Sequence, residues 1–244
     1  MTPTTVPDAL AVALRGDAAA PFVTWIGPDA ARTELSLRTY ENNVAKAANL
    51  LRDDADLEPG GVVALHLPLH WQAAVWLGAC ALVGATAAVD GDPSSAEVSV
   101  VGPGGLDLPQ APLTLASSLH PFGMPFSVPL PPGVLDVASE VRMHGDQFTS
   151  YGDVLPTTTW LTAGDTTWTQ EQALQEASAL ADELSMRAGG RLLVAAERLD
   201  ASTVLAVTAL PLVLRGSVVL LADATASADA VAEAERCTAV LHPS

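Results

Sequence analysis

The pattern of apolar and polar positions is most regular between residues 59 and 93, PGGVVALHLPLHWQAAVWLGACALVGATAAVDGDP. A glycine pair opens this stretch and an apolar, β-branched run fills 62–67. A segment of helical length follows from Trp71 to Val83, and Gly84 separates it from a second short apolar run that closes on Asp90. These lengths and breaks predict strand, helix, strand. Neither strand alternates, so both are expected to be covered on both faces, as in a buried parallel βαβ unit.

The pattern extends in both directions. Residues 7–14 predict a short helix, 22–26 a strand and 34–37 a second short strand. Ser36 is placed to cap a helix with Val44, Ala47, Ala48 and Leu51 on one face. Residues 97–101 predict another strand. From Gly102 to Gly133 the periodicity fades among eight prolines and five glycines, yet the stretch is too apolar for a disordered linker. Extended segments packed over a sheet are expected there, and 134–152 gives no assignable pattern.

Order returns near Thr157. Thr169 and Gln172 form a capping-box pair ahead of a helix with Leu174, Ala177, Leu180, Ala181 and Leu184 on one face. Gly189-Gly190 ends it. A strand at 192–195, an apolar helix at 203–214, a strand at 218–221, a short helix at 228–235 and a last strand at 238–241 complete the chain. Ser36 and Thr169 stand at the same offset as Leu51 and Leu184, and Gly60 with Gly189 and Gly84 with Gly216 lie close to it. The halves are thus read as a duplicated α/β unit: a first module at 1–105, a Pro/Gly-rich connecting region packed on the sheets at 106–155, and a second module at 156–244, together one integrated domain.

Composition narrows the partners. A formal net charge of −17, from 28 acidic against 11 basic residues, repels phosphate backbones and anionic headgroups. Neither nucleic acid nor a membrane is expected as partner. The run at 71–89 is long enough to raise a membrane span, but Gln72, Thr86 and its glycines fit the βαβ reading better. No basic and apolar leader opens the chain, Cys80 and Cys237 read as small buried hydrophobes in a reducing compartment, and a cytoplasmic protein is expected. His66 and His70 are four apart, but Pro68 between them breaks any helix that would place both on one face, so no metal site is read there. Gly102-Pro103-Gly104-Gly105 lacks a following helix and is not read as a nucleotide loop.

Residues 34–37, the helix to Leu51 and the stretch 58–93 resemble the opening of the large N-terminal domain of adenylate-forming enzymes: acyl-CoA synthetases, luciferases and peptide-synthetase adenylation domains. The second half resembles that family's module after its phosphate loop. Within the superfamily the chain also resembles a short actinobacterial group of acyl-CoA-synthetase-like proteins. The resemblance implies an α/β fold of two similar, mostly parallel sheet modules flanked by helices, over most of residues 22–241. It also implies a phosphate loop of the form Thr-Ser-Gly-Thr-Thr-Gly-x-Pro-Lys-Gly. Here the chain reads Thr162-Ala163-Gly164-Asp165-Thr166-Thr167-Trp168-Thr169. Thr162, Gly164 and Thr166 match and are the candidate remnant of a nucleotide site. Asp165 replaces a threonine, and the later glycine, proline, lysine and glycine are missing.

A phosphate cradle offers donors and positive potential to an anion, so adding a carboxylate at Asp165 and losing the lysine reverses its sign. One charge pair at ~4 Å is worth roughly 4 kcal/mol at an effective dielectric near 20. The family's aromatic-Gly-x-Thr-Glu motif, ribose-binding Asp and C-terminal Lys have no counterpart before Ser244, and Lys46, the sole lysine, lies in a helix far from both lysine positions. The expectation is a truncated pseudoenzyme without adenylation activity. It would keep its scaffold for AMP, ATP or acyl-CoA as a small-molecule ligand, or for a protein partner. The alternative expectation is one component of an ATP-dependent acyl-CoA ligase completed by another chain.

Overall fold

A computed structural model describes residues 2–150 and 152–242. In chain order, α1 is Val6–Leu14, β1 Pro21–Ile26, β2 Arg32–Ser36, α2 Leu37–Asp53, β3 Val62–His66, α3 Trp71–Val83, β4 Thr86–Val89 and β5 Val98–Val101. The middle of the chain adds β6 Leu113–Ala116, β7 Val134–Asp136 and α4 Val137–Glu140. There follow β8 Thr159–Ala163, β9 Thr166–Thr169, α5 Gln170–Glu183, β10 Arg191–Ala195, α6 Val204–Val207 and α7 Ala209–Leu214. The last elements are β11 Ser217–Leu221, α8 Ala228–Ala234 and β12 Ala239–Leu241.

The helices begin where the sequence supplies caps. Ser36 Oγ accepts from the Thr39 N–H at 3.1 Å at the start of α2. Thr169 and Gln172 close a reciprocal capping box at the start of α5, with bonds of 3.0 and 3.3 Å. Such caps satisfy amides that the helix leaves unpaired and stabilise it by about 1 kcal/mol each. The α3 helix is capped by an imidazole: His70 Nδ1 accepts from the Gln72 N–H at 3.2 Å. Almost every residue of α3 is buried, because the helix lies in the core shared by both sheets. Trp160 Nε1 on β8 reaches its Leu77 carbonyl at 2.9 Å.

Two mostly parallel sheets flank this layer. The five-stranded sheet runs β12-β10-β11-β1-β2 and the seven-stranded sheet β7-β6-β5-β3-β4-β8-β9. Only the hairpin partners β2 and β9 run antiparallel to their neighbours. The β8–β9 hairpin of the second half adds to β4 of the first, and the β1–β2 hairpin of the first half adds to β11 of the second. With β3, β4 and β5 set against β10, β11 and β12, the order β5-β3-β4-β8-β9 matches β12-β10-β11-β1-β2 strand for strand. Both hairpins carry a register shift at the same place, between Pro21 and Val23 and between Thr159 and Leu161. The internal repeat is thus visible in the fold as a reciprocal exchange of hairpins between sheets. The seven-stranded sheet has two further strands, β6 and β7, beyond β5.

One continuous core joins the inner faces of both sheets, with Val63, Leu65 and Val100 on one side and Val23, Leu192, Val218 and Leu220 on the other. The outer face of the seven-stranded sheet is covered by the Pro/Gly-rich stretch: Leu106, Leu108, Phe126 and Leu130 pack on Val101, Ala116 and Val134. The outer face of the other sheet, at Leu193, Val219 and Leu221, is covered by α8. Beside α8 lies a chain of ion pairs. Arg191 meets Glu235 at 2.7 Å, and Arg32 meets both Glu235 at 2.8 Å and Glu34 at 2.6 Å.

Two details differ from the sequence reading. The apolar stretch 203–214 is two short helices, because Pro211 has no N–H to donate to the carbonyl of Val207 and its ring crowds that carbonyl. The left-handed cap that mirrors Gly84 (φ +74) is Arg215 (φ +49) and not Gly216. Gly216 is required for a different reason: a Cβ there would lie 2.0 Å from the Gly190 carbonyl oxygen.

Candidate functional site

Parallel strands place their carboxyl ends on one side of a sheet, and the loops that leave them form the usual ligand crevice. Here β4 and β8 end together at Val89 and Ala163. In the other sheet, β10 and β11 end together at Ala195 and Leu221. The loop after β10, residues 196–203, crosses toward the seven-stranded sheet, where Arg198 forms an antiparallel bridge with Pro68 in the loop after β3. The carboxyl ends of both sheets therefore meet at this crossing.

A cleft lies on each side of the crossing loop. One, of ≈ 460 Å³, has Asp90, Ala163 and Gly164 on one wall and Arg198, Asp200 and Ser202 on the other. The second, of ≈ 500 Å³, opens between the ends of β10 and β11 and is bounded by Glu197, Asp223 and Ala226. It sits where neighbouring strands send their connections to opposite sheet faces, since α6 and α7 join the shared core and α8 covers the outer face. That is a topological switch point, the position open α/β sheets use for ligands.

The electrostatics of the first cleft are acidic. Partial burial pushes the Asp200 carboxyl up, but bonds from Ser202, Thr203 and Arg198 outweigh it and hold the group below the usual carboxylate range. Its Oδ1 accepts from the Ser202 hydroxyl at 2.6 Å and the Ser202 N–H at 3.0 Å. Among the described residues, Arg198 is the one basic side chain lining this cleft, and its Nε is already bound to Asp200 at 3.3 Å. An entering anion would face Asp90 and Asp200, with the exposed Arg198, paired to Asp200 through Nε, as the one lining cation among the described residues.

The three matched residues of the phosphate-loop position fall at the end of one hairpin. Thr162 is on β8, opposite Ala88 of β4 and Thr167 of β9. Thr166 opens β9 opposite Ala163, and Gly164-Asp165 is the two-residue turn between them. Gly164 has φ +57 and open space around it, so the turn needs glycine for its backbone angle rather than for close approach of a ligand. Side chains alternate across a hairpin, and Ala163 and Thr166 share a face. Thr162 and Thr166 thus project to opposite faces, and their hydroxyls do not converge. A phosphate cradle needs a run of free amides around an anion, whereas this loop has closed into ladder and turn. The structure brings Thr162, Gly164 and Thr166 together along the chain but not around one point.

Sequence reasoning missed Arg198 and Asp200. Their signal was the charged run Glu197-Arg198-Leu199-Asp200 directly after an apolar strand, which marks a strand's carboxyl end. His66 and His70 do not form a pair: His66 Nε2 contacts the Gly91 carbonyl at 2.6 Å, and His70 caps α3. No group of three or more His, Cys, Asp or Glu side chains among the described residues is arranged to hold a metal ion. Among the described residues no helix is long and apolar enough to cross a membrane.

No protein-family model matches the chain. A Mycobacterium tuberculosis (strain ATCC 25618 / H37Rv) protein named "TIGR03089 family protein" is 40% identical over 156 residues, which is 60% of this chain and 63% of that protein. Among solved structures, the Brucella canis acyl-CoA synthetase superposes with a TM-score of 0.77, at 16% identity, over 97% of this chain. The fold is acyl-CoA synthetase-like. The match spans less than two thirds of the mycobacterial relative and 46% of the synthetase. Both sheets and their shared helical layer fall within the matched part, which supports the fold of two mostly parallel sheets flanked by helices read from the sequence.

Proposed function

We propose that this chain is a catalytically reduced, acyl-CoA synthetase-like protein that keeps the scaffold for small-molecule binding or protein interaction and does not itself adenylate a substrate. The observation that carries this reading is the hairpin at Ala163–Thr166, with Asp165 in its turn and the Thr162 and Thr166 hydroxyls on opposite faces. Thr162, Gly164 and Thr166 are on this reading the remnant of a phosphate loop rather than a working one. The acidic cleft beside them supports it, since Asp90 and Asp200 oppose a polyphosphate. Neutral or weakly charged ligands fit the switch-point crevice at the ends of β10 and β11 better than ATP does. On this reading the chain is a first module at 1–105, a connecting region at 106–155 and a second module at 156–244, together one integrated domain; the exchange of hairpins between the sheets supports that integration.

Calorimetric titration with ATP, AMP and acyl-CoA tests this. The reading requires ATP to bind no tighter than about millimolar, the range where a lost phosphate cradle leaves only weak contacts. Micromolar ATP affinity contradicts it.

One observation favours a second reading, an ATP-dependent ligase component completed by another chain. The β5 strand is continued by β6 and β7, whereas its counterpart β12 is an edge strand with half-buried residues and no charged side chain. Uncharged edges accept further strands. On this reading, a purified complex with a second polypeptide would bind ATP and form adenylate where the chain alone does neither.

A further inference from the structure

A separate cleft of ≈ 230 Å³ lies between α2, the first turns of α3 and the segments 122–123 and 137–142, on the side where β3 and β7 end. Its walls are apolar: Trp71, Val75, Phe122 and Val141. The Trp71 indole is fixed in place by its bond to the Pro121 carbonyl at 3.0 Å, and Phe122, 77% exposed, stands at the rim. Among the described residues, the charged ones lining this cleft are Lys46 and Arg142, and no carboxylate is among the lining residues. Among the described residues neither makes an ion pair. In a chain of net charge −17, two unpaired cations on an apolar cleft are a local reversal of the surface.

A third feature points inward. Gln72 lines the same cleft, is only 6% exposed, and its carboxamide oxygen is buried without a hydrogen-bond partner. Burying an unpaired amide is unfavourable, and native structures rarely leave one without a reason. Among the described residues no donor reaches this oxygen, and the Gln72 backbone N–H is itself committed to His70.

We infer that this cleft binds a small aromatic anion. A flat ring lies against Trp71, Val75 and Phe122, an anionic group is met by Lys46 and Arg142, and a polar ring atom bonds the Gln72 amide. The volume is below that of drug-sized pockets, which limits the occupant to one or two fused rings. Arg and Lys bind anions by charge-assisted bonds, and arginine also stacks on aromatic faces. The inference goes beyond the proposed function and does not depend on the phosphate loop. Loss of ATP binding leaves it untouched, and its own failure leaves that reading standing.

Three probes separate the features: indole-3-acetate, its cationic counterpart tryptamine, and 1-naphthaleneacetate, which lacks the ring N–H. Binding to the full chain is measured by calorimetry and ligand-observed NMR at low salt. Indole-3-acetate should bind one to one with submillimolar affinity, and tryptamine at least ~10-fold more weakly because the cations then repel it. Lys46→Met and Arg142→Met, at half-buried and exposed positions, should each weaken binding about threefold, in the range of an exposed charge contact. Gln72→Leu should equalise indole-3-acetate and 1-naphthaleneacetate. Tryptamine binding as tightly as indole-3-acetate, no effect of the double Lys46→Met and Arg142→Met variant, or no binding of either anion at about 5 mM would each overturn the inference.

Discussion

Acidification from pH 7 to pH 5 perturbs the group that starts α3. His70 Nδ1 accepts the Gln72 N–H at 3.2 Å, and its ring packs 4.5 Å from that of Trp25 and 5.5 Å from that of Trp71. A proton added at Nδ1 would abolish that acceptor and place a cation in the apolar core at the positive end of a helix dipole. Burial pushes the His70 pKa down to about 3. The sign follows from linkage: the unfolded chain takes up the proton below the ordinary histidine value of about 6.5 while the folded chain does not, so stability is lost as pH falls below 6.5. At pH 5 the unfolded state gains roughly 1.5 pH units of proton binding, or about 2 kcal/mol, against about 0.2 kcal/mol at pH 7. This window lies above the ordinary carboxylate values, so acid groups contribute little to it.

Urea unfolding, followed by tryptophan fluorescence at pH 7, 6, 5.5 and 5, measures the loss. His70→Asn keeps a side-chain oxygen that can cap the helix but has no titrating ring. The variant should be less stable at pH 7, through lost contact with Trp25, and its stability should change about 2 kcal/mol less than the parent's over this range. If parent and variant lose stability in parallel between pH 6.5 and 5, the account of the α3 cap is wrong.

Three further outcomes follow from the packing. Glu235 is held at a pKa of about 2 by its hydrogen bond from Arg32, with burial opposing and Arg191 adding to the effect. Glu235→Gln should cost about 2 kcal/mol at pH 7, and the gap to the parent should close as pH falls from 4.5 toward 2.5, measured by urea midpoints. Gly216→Ala should cost about 3 kcal/mol, because its Cβ meets the Gly190 carbonyl oxygen at 2.0 Å. Gly164→Ala, with open space but φ +57, should cost only about 1 kcal/mol. Equal losses at the two glycines in thermal melts would contradict the distinction between crowding and backbone angle.

Much of this architecture was legible in the sequence because it is set by local rules. The limits of α3 match the apolar run from Trp71 to Val83, and Ser36 and Thr169 cap the helices they were expected to cap. The repeat was legible as spacing, but not the exchange of hairpins between sheets, since strand pairing across the two halves leaves no local mark. The break at Thr208 could have been read from Pro211. Residues 134–152 hid β7 and α4 because elements of three and four residues are too short for periodicity. The mismatches in the loop at Thr162 to Thr169 were visible as letters. That Thr162 and Thr166 face opposite ways depends on the two-residue turn, which only the strand register reveals. Lys46 drew notice as the only lysine, yet its cleft is assembled from residues nearly a hundred positions apart.

Exchange of labelled pyrophosphate into ATP, catalysed by the purified chain with magnesium and a panel of carboxylic acids, tests the central claim most directly. A phosphate loop closed into a hairpin, with Asp165 in place of a donor, predicts incorporation no greater than the protein-free blank for every acid. Carboxylate-dependent exchange above that blank would contradict the account.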